Sequence, residues 1–242
     1  MGKDHILKNS GMVLNKADNY NNWQYEQFKR YVGKEVLEVG CGLGNITQYL
    51  IHNMDFLLGT DIKPEAIDFV KQRFQDDFHE DRFAVKCIDI FSEELNVPQH
   101  FDTIICSNVL EHIEDDLGAM KICHQILSEK KGYFLLLVPA HQFIYGTLDE
   151  ESGHVKRYSK KEIIELAEWS NFEIVDLYLF NFVGAVGWYI NYCLLKRRNT
   201  NNEESSAQMS FFDKLCVKPL KLMESLIKPI IGISYIAILK AK

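Results

Sequence analysis

Short apolar runs alternate along the chain with segments in which apolar residues recur every three or four positions. Runs such as VLEVG, FLLGTDI and YFLLLVPA are almost continuously apolar and close on turn residues, the pattern of strands buried on both faces. Strands are predicted near residues 35–40, 56–61, 83–89, 102–107, 133–138, 172–180 and 232–239, and helices near 45–53, 64–75, 117–130 and 160–170. Pro64 suits a first helical turn, where its missing N–H goes unused, and Ser159 with Glu162 makes a capping box. Strands alternating with helices predict an α/β fold, a parallel sheet with helices on both faces. Ahead of the first strand, Tyr20, Trp23, Tyr25 and Phe28 fall on helical spacing and predict a helix docked on that sheet. The polar stretch NTNNEESSAQ, 199–208, reads as a mobile linker.

With 242 residues and 47% hydrophobic content the chain can bury a full core, and it is read as one domain, 1–242. The net charge of −7 is uneven: from Cys193 onward nine Lys or Arg face four Asp or Glu, a local +5, which leaves −12 for residues 1–192. A body that acidic argues against a nucleic-acid surface, which needs cations along the phosphates. Six cysteines form no C-x-x-C pair and sit mostly in apolar runs, so neither a disulfide framework nor a zinc site is expected. No run of eighteen apolar residues occurs, and the opening MGKDHILKNS has no apolar signal core, so a cytoplasmic protein is expected.

The densest chemistry lies in VLEVGCGLGNITQYL, 36–50, where an apolar run breaks into glycines and hands over to a helix. Gly40 and Gly42 allow a sharp turn and close approach of a ligand to the backbone. The spacing is G-x-G-x-G followed by Asn45, not the G-x-G-x-x-G of a dinucleotide turn. Glu38, just before the turn, would repel a pyrophosphate and welcome an ammonium. About twenty residues on, Asp61 closes FLLGTDI, where an acid can bind ribose hydroxyls. Asp89 closes RFAVKCIDI, and FDTIICSNVLEHI supplies a fourth run and its turn.

In this order the markers resemble the class I S-adenosylmethionine-dependent methyltransferases. The whole chain resembles the methyltransferase-like grouping often associated with bacterial surface-glycan and glycolipid synthesis. The resemblance implies a Rossmann-like, seven-stranded, mostly parallel sheet whose last strand, GISYIAILKAK, enters antiparallel between its neighbours. It also implies S-adenosyl-L-methionine as cofactor. Gly40 and Gly42 would line it, Glu38 support its polar end, Asp61 take the ribose hydroxyls, and Asp89 contact the adenine amine between Ile62 and Ile90. The Ser107 backbone would accept from the ammonium, and Tyr20 cover the methionine end. Residues 1–34 would form a helical cover and 180–230 a helical insertion on the acceptor side.

Two histidines are the candidate catalytic residues: His112 in NVLEHI, beyond the fourth strand, and His154 in the segment PAHQFIYGTLDEESGHVKRYSKKEI, 139–163, read as a long loop after the fifth. Each has a structural alternative. His112 with Glu111 can order its loop, and His154, Arg157 and Tyr158 can tie theirs to the capped helix. Asp115 and Asp116 read as helix N-terminal acids, and no metal is expected. The segment NFVGAVGWYINYCLLKRR is apolar and then abruptly cationic at Lys196, Arg197 and Arg198; it reads as a helix over the acceptor pocket or as weak peripheral membrane contact through 180–229. The expected activity is methylation of an oxygen or nitrogen on a small-molecule, glycan or lipid-linked acceptor. A nucleic-acid or protein methyltransferase and a non-catalytic S-adenosylmethionine-binding module are the alternatives. The N-P-P-Y type motif of enzymes acting on base amines is missing after the fourth strand, where SNVLEH stands.

Overall fold

The computed structural model describes residues 17–79, 81–92, 100–197 and 209–242. Much of the stretch read as a helical cover, 1–16, and the stretch read as a linker, 199–208, lie outside the described residues. Seven strands form one sheet: β1 (Glu35–Val39), β2 (Phe56–Asp61), β3 (Phe83–Cys87), β4 (Thr103–Ser107), β5 (Tyr133–Pro139), β6 (Phe172–Phe180) and β7 (Ser234–Ala241). Their order is β3-β2-β1-β4-β5-β7-β6. Neighbours among β1 to β5 run parallel, whereas β7 lies antiparallel between β5 and β6. The sheet therefore has the Rossmann-like form, and its last strand enters where the resemblance put it.

Consecutive residues on the central strands are buried on opposite faces, which is why these runs are apolar without alternation. Leu37, Leu58, Ile104 and Leu136 share one core with Met120 and Cys123 of α4 (Asp116–Ser128) and Ile163 and Ala167 of α6 (Lys160–Trp169). Val36, Leu57, Ile105 and Leu135 face the other core, closed by Trp23 and Phe28 of α1 (Asp18–Phe28), Leu50 of α2 (Thr47–Leu50) and Val70 of α3 (Pro64–Arg73). The aromatic stripe before β1 is thus core packing.

Pro64 opens α3, and the Ser159 amide donates to Glu162 Oε2 at 2.8 Å in a capping box. The helix after the glycine turn is shorter than 45–53, because residues 41–46 are spent on the turn itself. β3 stops at Cys87 because the Asp89 carboxylate accepts from the Phe91 amide at 3.0 Å and the Ser92 hydroxyl at 2.8 Å, curling the chain. The long loop after β5 contains a helix of its own, α5 (Thr147–Ser152), ended by Gly153 in a left-handed conformation (φ 77°). Its acid-rich sequence, TLDEES, shows no apolar periodicity that would announce a helix.

The insertion after β6 is helical in two pieces. α7 (Phe182–Trp188) continues as a π-helix to Leu194, and a second π turn, Phe212–Cys216, leads into α8 (Val217–Leu226). The first piece packs on α5, where the Thr147 hydroxyl donates to the Tyr192 carbonyl at 3.4 Å, and on the turn before it, with the Cys193 thiol 3.1 Å from the Ile144 carbonyl. The second is tied to α1, where Asp213 accepts from the Tyr20 amide at 2.8 Å, and to the exit of β6, where Glu224 accepts from the amides of Asn181 and Phe182 at 3.0 and 2.8 Å. Among the described residues no helix is long and apolar enough to cross a membrane.

Candidate functional site

The chain leaves β1 through a turn whose glycines have left-handed backbones, with φ of 70° at Gly40 and 53° at Gly42. Gly40 is pressed against the strand β4 exit: a Cβ there would lie 2.3 Å from Val109 Cγ2. Gly42 differs, since no heavy atom lies within 4 Å of the place a Cβ would occupy. Its backbone is a cradle open to a ligand.

Around this open flank the acids are already ordered. Asp61, at the end of β2, accepts the Gly42 amide at 3.0 Å on one oxygen and the Lys63 amide at 2.9 Å on the other, and each oxygen keeps a lone pair. Glu38 is 4% exposed and accepts the Thr47 hydroxyl at 2.6 Å. Burial pushes its carboxyl up to about 7, against the hydrogen bond from Thr47. Ile62 is 65% exposed beside the turn, whereas Ile90 is 4% exposed and packs in the core. Only the first of that pair offers an open apolar face. Ser107 ends β4 next to β1, where Val39 is in register with Cys106. Tyr20, on α1, packs against Trp23, Phe180 and Phe212. Burial raises its phenol, whose hydroxyl meets Asn181 and Gln24. An acid at the floor, an open glycine backbone and acids at the ends of β2 and β3 fit a ligand with an ammonium, a ribose and an amine-bearing ring.

Across the sheet, the turn after β4 and the segment after β5 converge. His112 and His154 lie 42 positions apart in sequence, yet their rings meet edge to face with centroids 4.8 Å apart. Glu111 joins them, its Oε1 3.9 Å from His154 Nε2. Glu111 is 1% exposed and neither carboxylate oxygen has a hydrogen-bond partner. Burial pushes it up to about 8, and Arg157 counteracts only part of this. Burial pushes His112 down to about 4, helped by the neighbouring His154.

Behind these rings stands a buried ion pair. Asp149 of α5 accepts from His154 Nδ1 at 2.7 Å and from Arg157 Nε at 2.8 Å, and Asp149 and Arg157 are both enclosed. Burial alone would raise Asp149, but the hydrogen bonds from His154 and Arg157 hold it below the usual carboxylate range. Arg157 also donates to the Ala140 carbonyl at 3.2 Å and lies 4.5 Å from the Trp188 ring. Tyr158 is fully buried, its hydroxyl 3.1 Å from the Leu110 carbonyl and 3.2 Å from Asp116. Arg157 and Tyr158 are accordingly fastenings of the segment, while His154 faces inward to the cluster. Asp115 caps α4 through the Gly118 amide at 2.9 Å, and Asp116 pairs with Lys156 at 2.7 Å. The link between Glu111 and His154 escapes sequence reasoning, because nothing local pairs residues this far apart.

A family model described as a methyltransferase domain matches residues 37–133, from the glycine turn to the start of β5. A curated relative, a ubiquinone biosynthesis O-methyltransferase of Nitrosospira multiformis, is 24% identical over 101 residues, 42% of this chain and 41% of that one. Another of the same name, from Coxiella burnetii, is 23% identical over 158 residues, 60% of this chain and 66% of its own. The alignments thus fall short of two thirds of either relative's length. Among solved structures, the N-methyltransferase NodS of Bradyrhizobium japonicum in complex with S-adenosyl-L-homocysteine superposes with a TM-score of 0.54 at 15% identity, covering 90% of this chain and 85% of that one. That likeness speaks for the fold. Sheet order, open glycine turn and the match over 37–133 agree with one another: residues 37–133 match a methyltransferase domain, set in a sheet of Rossmann-like order.

Proposed function

We propose that the protein transfers a methyl group from S-adenosylmethionine to an oxygen of a small-molecule acceptor that is lipid-linked and reached at a membrane surface. The observation that carries the finer part is the distribution of exposed apolar side chains. Among the described residues, 14 of the 19 large hydrophobics that are exposed fall within 182–231, the insertion beyond β6. Leu226 and Ile230 are 79% and 91% exposed. Lys196 and Arg197 lie in the same region; Arg198 lies outside the described residues. An apolar surface edged by cations suits an interface with anionic lipid. The curated relatives are named for O-methylation in ubiquinone biosynthesis, which favours oxygen over nitrogen.

S-adenosylmethionine supplies an electrophilic methyl group. Gly42 admits it to the backbone, Asp61 and Asp89 receive its ribose and adenine, Ile62 covers the ring, and the Ser107 carbonyl and Glu38 hold its ammonium end. Gly40 keeps that turn against Val109, Ile90 supports it from the core, and Tyr20 closes the roof. His112, neutral at pH 7, and His154, held by Asp149, border the acceptor and draw the proton from its hydroxyl. Most of the rate enhancement comes from orientation, roughly 7 to 11 kcal/mol, with a positioned base adding about two to four powers of ten.

The test is release of S-adenosylhomocysteine with hydroxylated aromatic acceptors, with and without a prenyl tail, presented on vesicles. Turnover with the hydroxyl compounds, raised in kcat/KM by the tail, is the expected result. Turnover only with amines, or only with DNA or RNA, overturns it.

A further inference from the structure

Three lone pairs converge at the candidate acceptor site with nothing to receive them. His154 directs Nδ1 at Asp149, 2.7 Å away, and a carboxylate there fixes the proton on Nδ1 and frees Nε2. His112 directs Nδ1 at the Gly153 carbonyl, 3.3 Å away, an oxygen that can only accept, so its Nε2 is free as well. Glu111, 1% exposed, has both oxygens without partners. One ligand atom from each of the three residues falls within 4.8 Å of the others. A buried carboxyl group without a partner is costly, by about 1–3 kcal/mol, and native proteins seldom keep one without a use; a metal ion would take it in its ionised form.

We propose that Glu111, His112 and His154 bind a divalent transition-metal ion, with Zn2+ as the representative. This departs from the expectation, drawn from Asp115 and Asp116, that no metal is bound. Two imidazoles and one carboxylate suit Zn2+, Fe2+ or Co2+, whereas Mg2+ prefers oxygen ligands. Bonds of about 2.0–2.2 Å need ligand atoms about 3.4 Å apart, which the 3.9 Å between Glu111 Oε1 and His154 Nε2 nearly meets. The remaining separations, within 4.8 Å, close if the His112 ring turns toward the other two. The nearby Arg157 does not oppose a cation, because Asp149 neutralises it at 2.8 Å. Three protein ligands leave a coordination position for the acceptor. On the reading that the cluster faces that acceptor, the ion binds its hydroxyl oxygen and lowers its proton affinity. The proton leaves to solvent, and the oxygen forms its bond to the methyl carbon as the carbon–sulfur bond breaks. With the ion bound, the histidines serve as its ligands, and the proton-drawing role passes from them to the ion.

The experiment uses the chelator-treated full chain, titrated with Zn2+, Co2+ and Mg2+ by calorimetry, with metal content read by plasma mass spectrometry. About one equivalent of Zn2+ or Co2+ should bind, Mg2+ at least about a hundredfold more weakly, and Co2+ should give a visible d–d spectrum. Glu111→Gln and His112→Gln should each weaken Zn2+ at least about tenfold while S-adenosylhomocysteine affinity stays within error and circular dichroism shows the fold kept. Unchanged Zn2+ affinity in both variants overturns the proposal, as does a wild-type chain that binds no Zn2+ or gives no Co2+ spectrum. The Co2+ spectrum needs no variant, so the test stands if a variant misfolds. Metal bound without any methyl transfer to hydroxyl acceptors would instead overturn the functional reading and leave the metal site.

Discussion

The two ends of the candidate site are built on different terms. On the cofactor side, at the carboxyl ends of β1 to β3, Glu38, Asp61 and Asp89 each hold protein donors already. On the candidate acceptor side, Glu111, His141 Nε2 and Trp188 Nε1 are buried and have no partner among the described residues, against Asn45 Oδ1 alone in the glycine turn. The first side is pre-formed and a ligand adds to it; the second is held open by a rigid frame, the Asp149–Arg157 pair, and its unmet groups await a ligand.

The sharpest way to break this contrast is to remove the frame. Asp149→Asn should destabilise the protein by about 3–5 kcal/mol, since it strands a buried guanidinium, and thermal melting reads the loss. A drop of only a degree or two would mean the acceptor side is as self-sufficient as the cofactor side. Next, Gly42→Val should lower S-adenosylhomocysteine affinity by at least about a hundredfold, about 2.7 kcal/mol, with the fold kept by circular dichroism. The open flank leaves room for the side chain, and the left-handed backbone strains it by about 1–3 kcal/mol, so melting is read beside binding, and a folded variant that binds normally refutes the cradle. On the outer surface, changing Lys196 and Arg197 to Glu should weaken sedimentation with anionic vesicles by about thirtyfold, and salt should do the same. Equal recovery in the supernatant with and without vesicles removes the membrane from the argument.

The smallest effect concerns Glu38. Its carboxyl is raised to about 7, so it is mostly protonated at pH 6 and mostly ionised at pH 8. A cationic ligand selects the ionised form, and affinity should therefore rise with pH, by about tenfold between pH 6 and 8, then level off. Calorimetry with S-adenosylhomocysteine checks this. Glu38→Gln should flatten the curve, and a wild-type curve that is already flat places the ammonium elsewhere.

The same contrast explains what was legible in the sequence. Strands buried on both faces announce themselves, and the glycine turn carries its own geometry within a few residues, so Gly40, Gly42 and Asp61 were readable as a unit. Ile90 was not, because its burial depends on how the chain curls after β3. α5 went unread since Asp149 and Gly146, not an apolar face, stabilise it. Glu111 was weighed only as a neighbour of His112, and its approach to His154 exists only once α5 and the β4 exit are packed together.

The placement of β7 bears on how the protein is made. Strands β1 to β5 can assemble in the order they leave the ribosome, but β6 has no partner until β7 inserts between it and β5. During synthesis the nascent chain therefore carries two unpaired strand edges, together with the apolar helices of 182–226, until residues 234–241 emerge. Such edges recruit other chains. The last strand acts as the closing step of folding, and a ribosome that stalls before it leaves a product fit for chaperones and proteases rather than for catalysis.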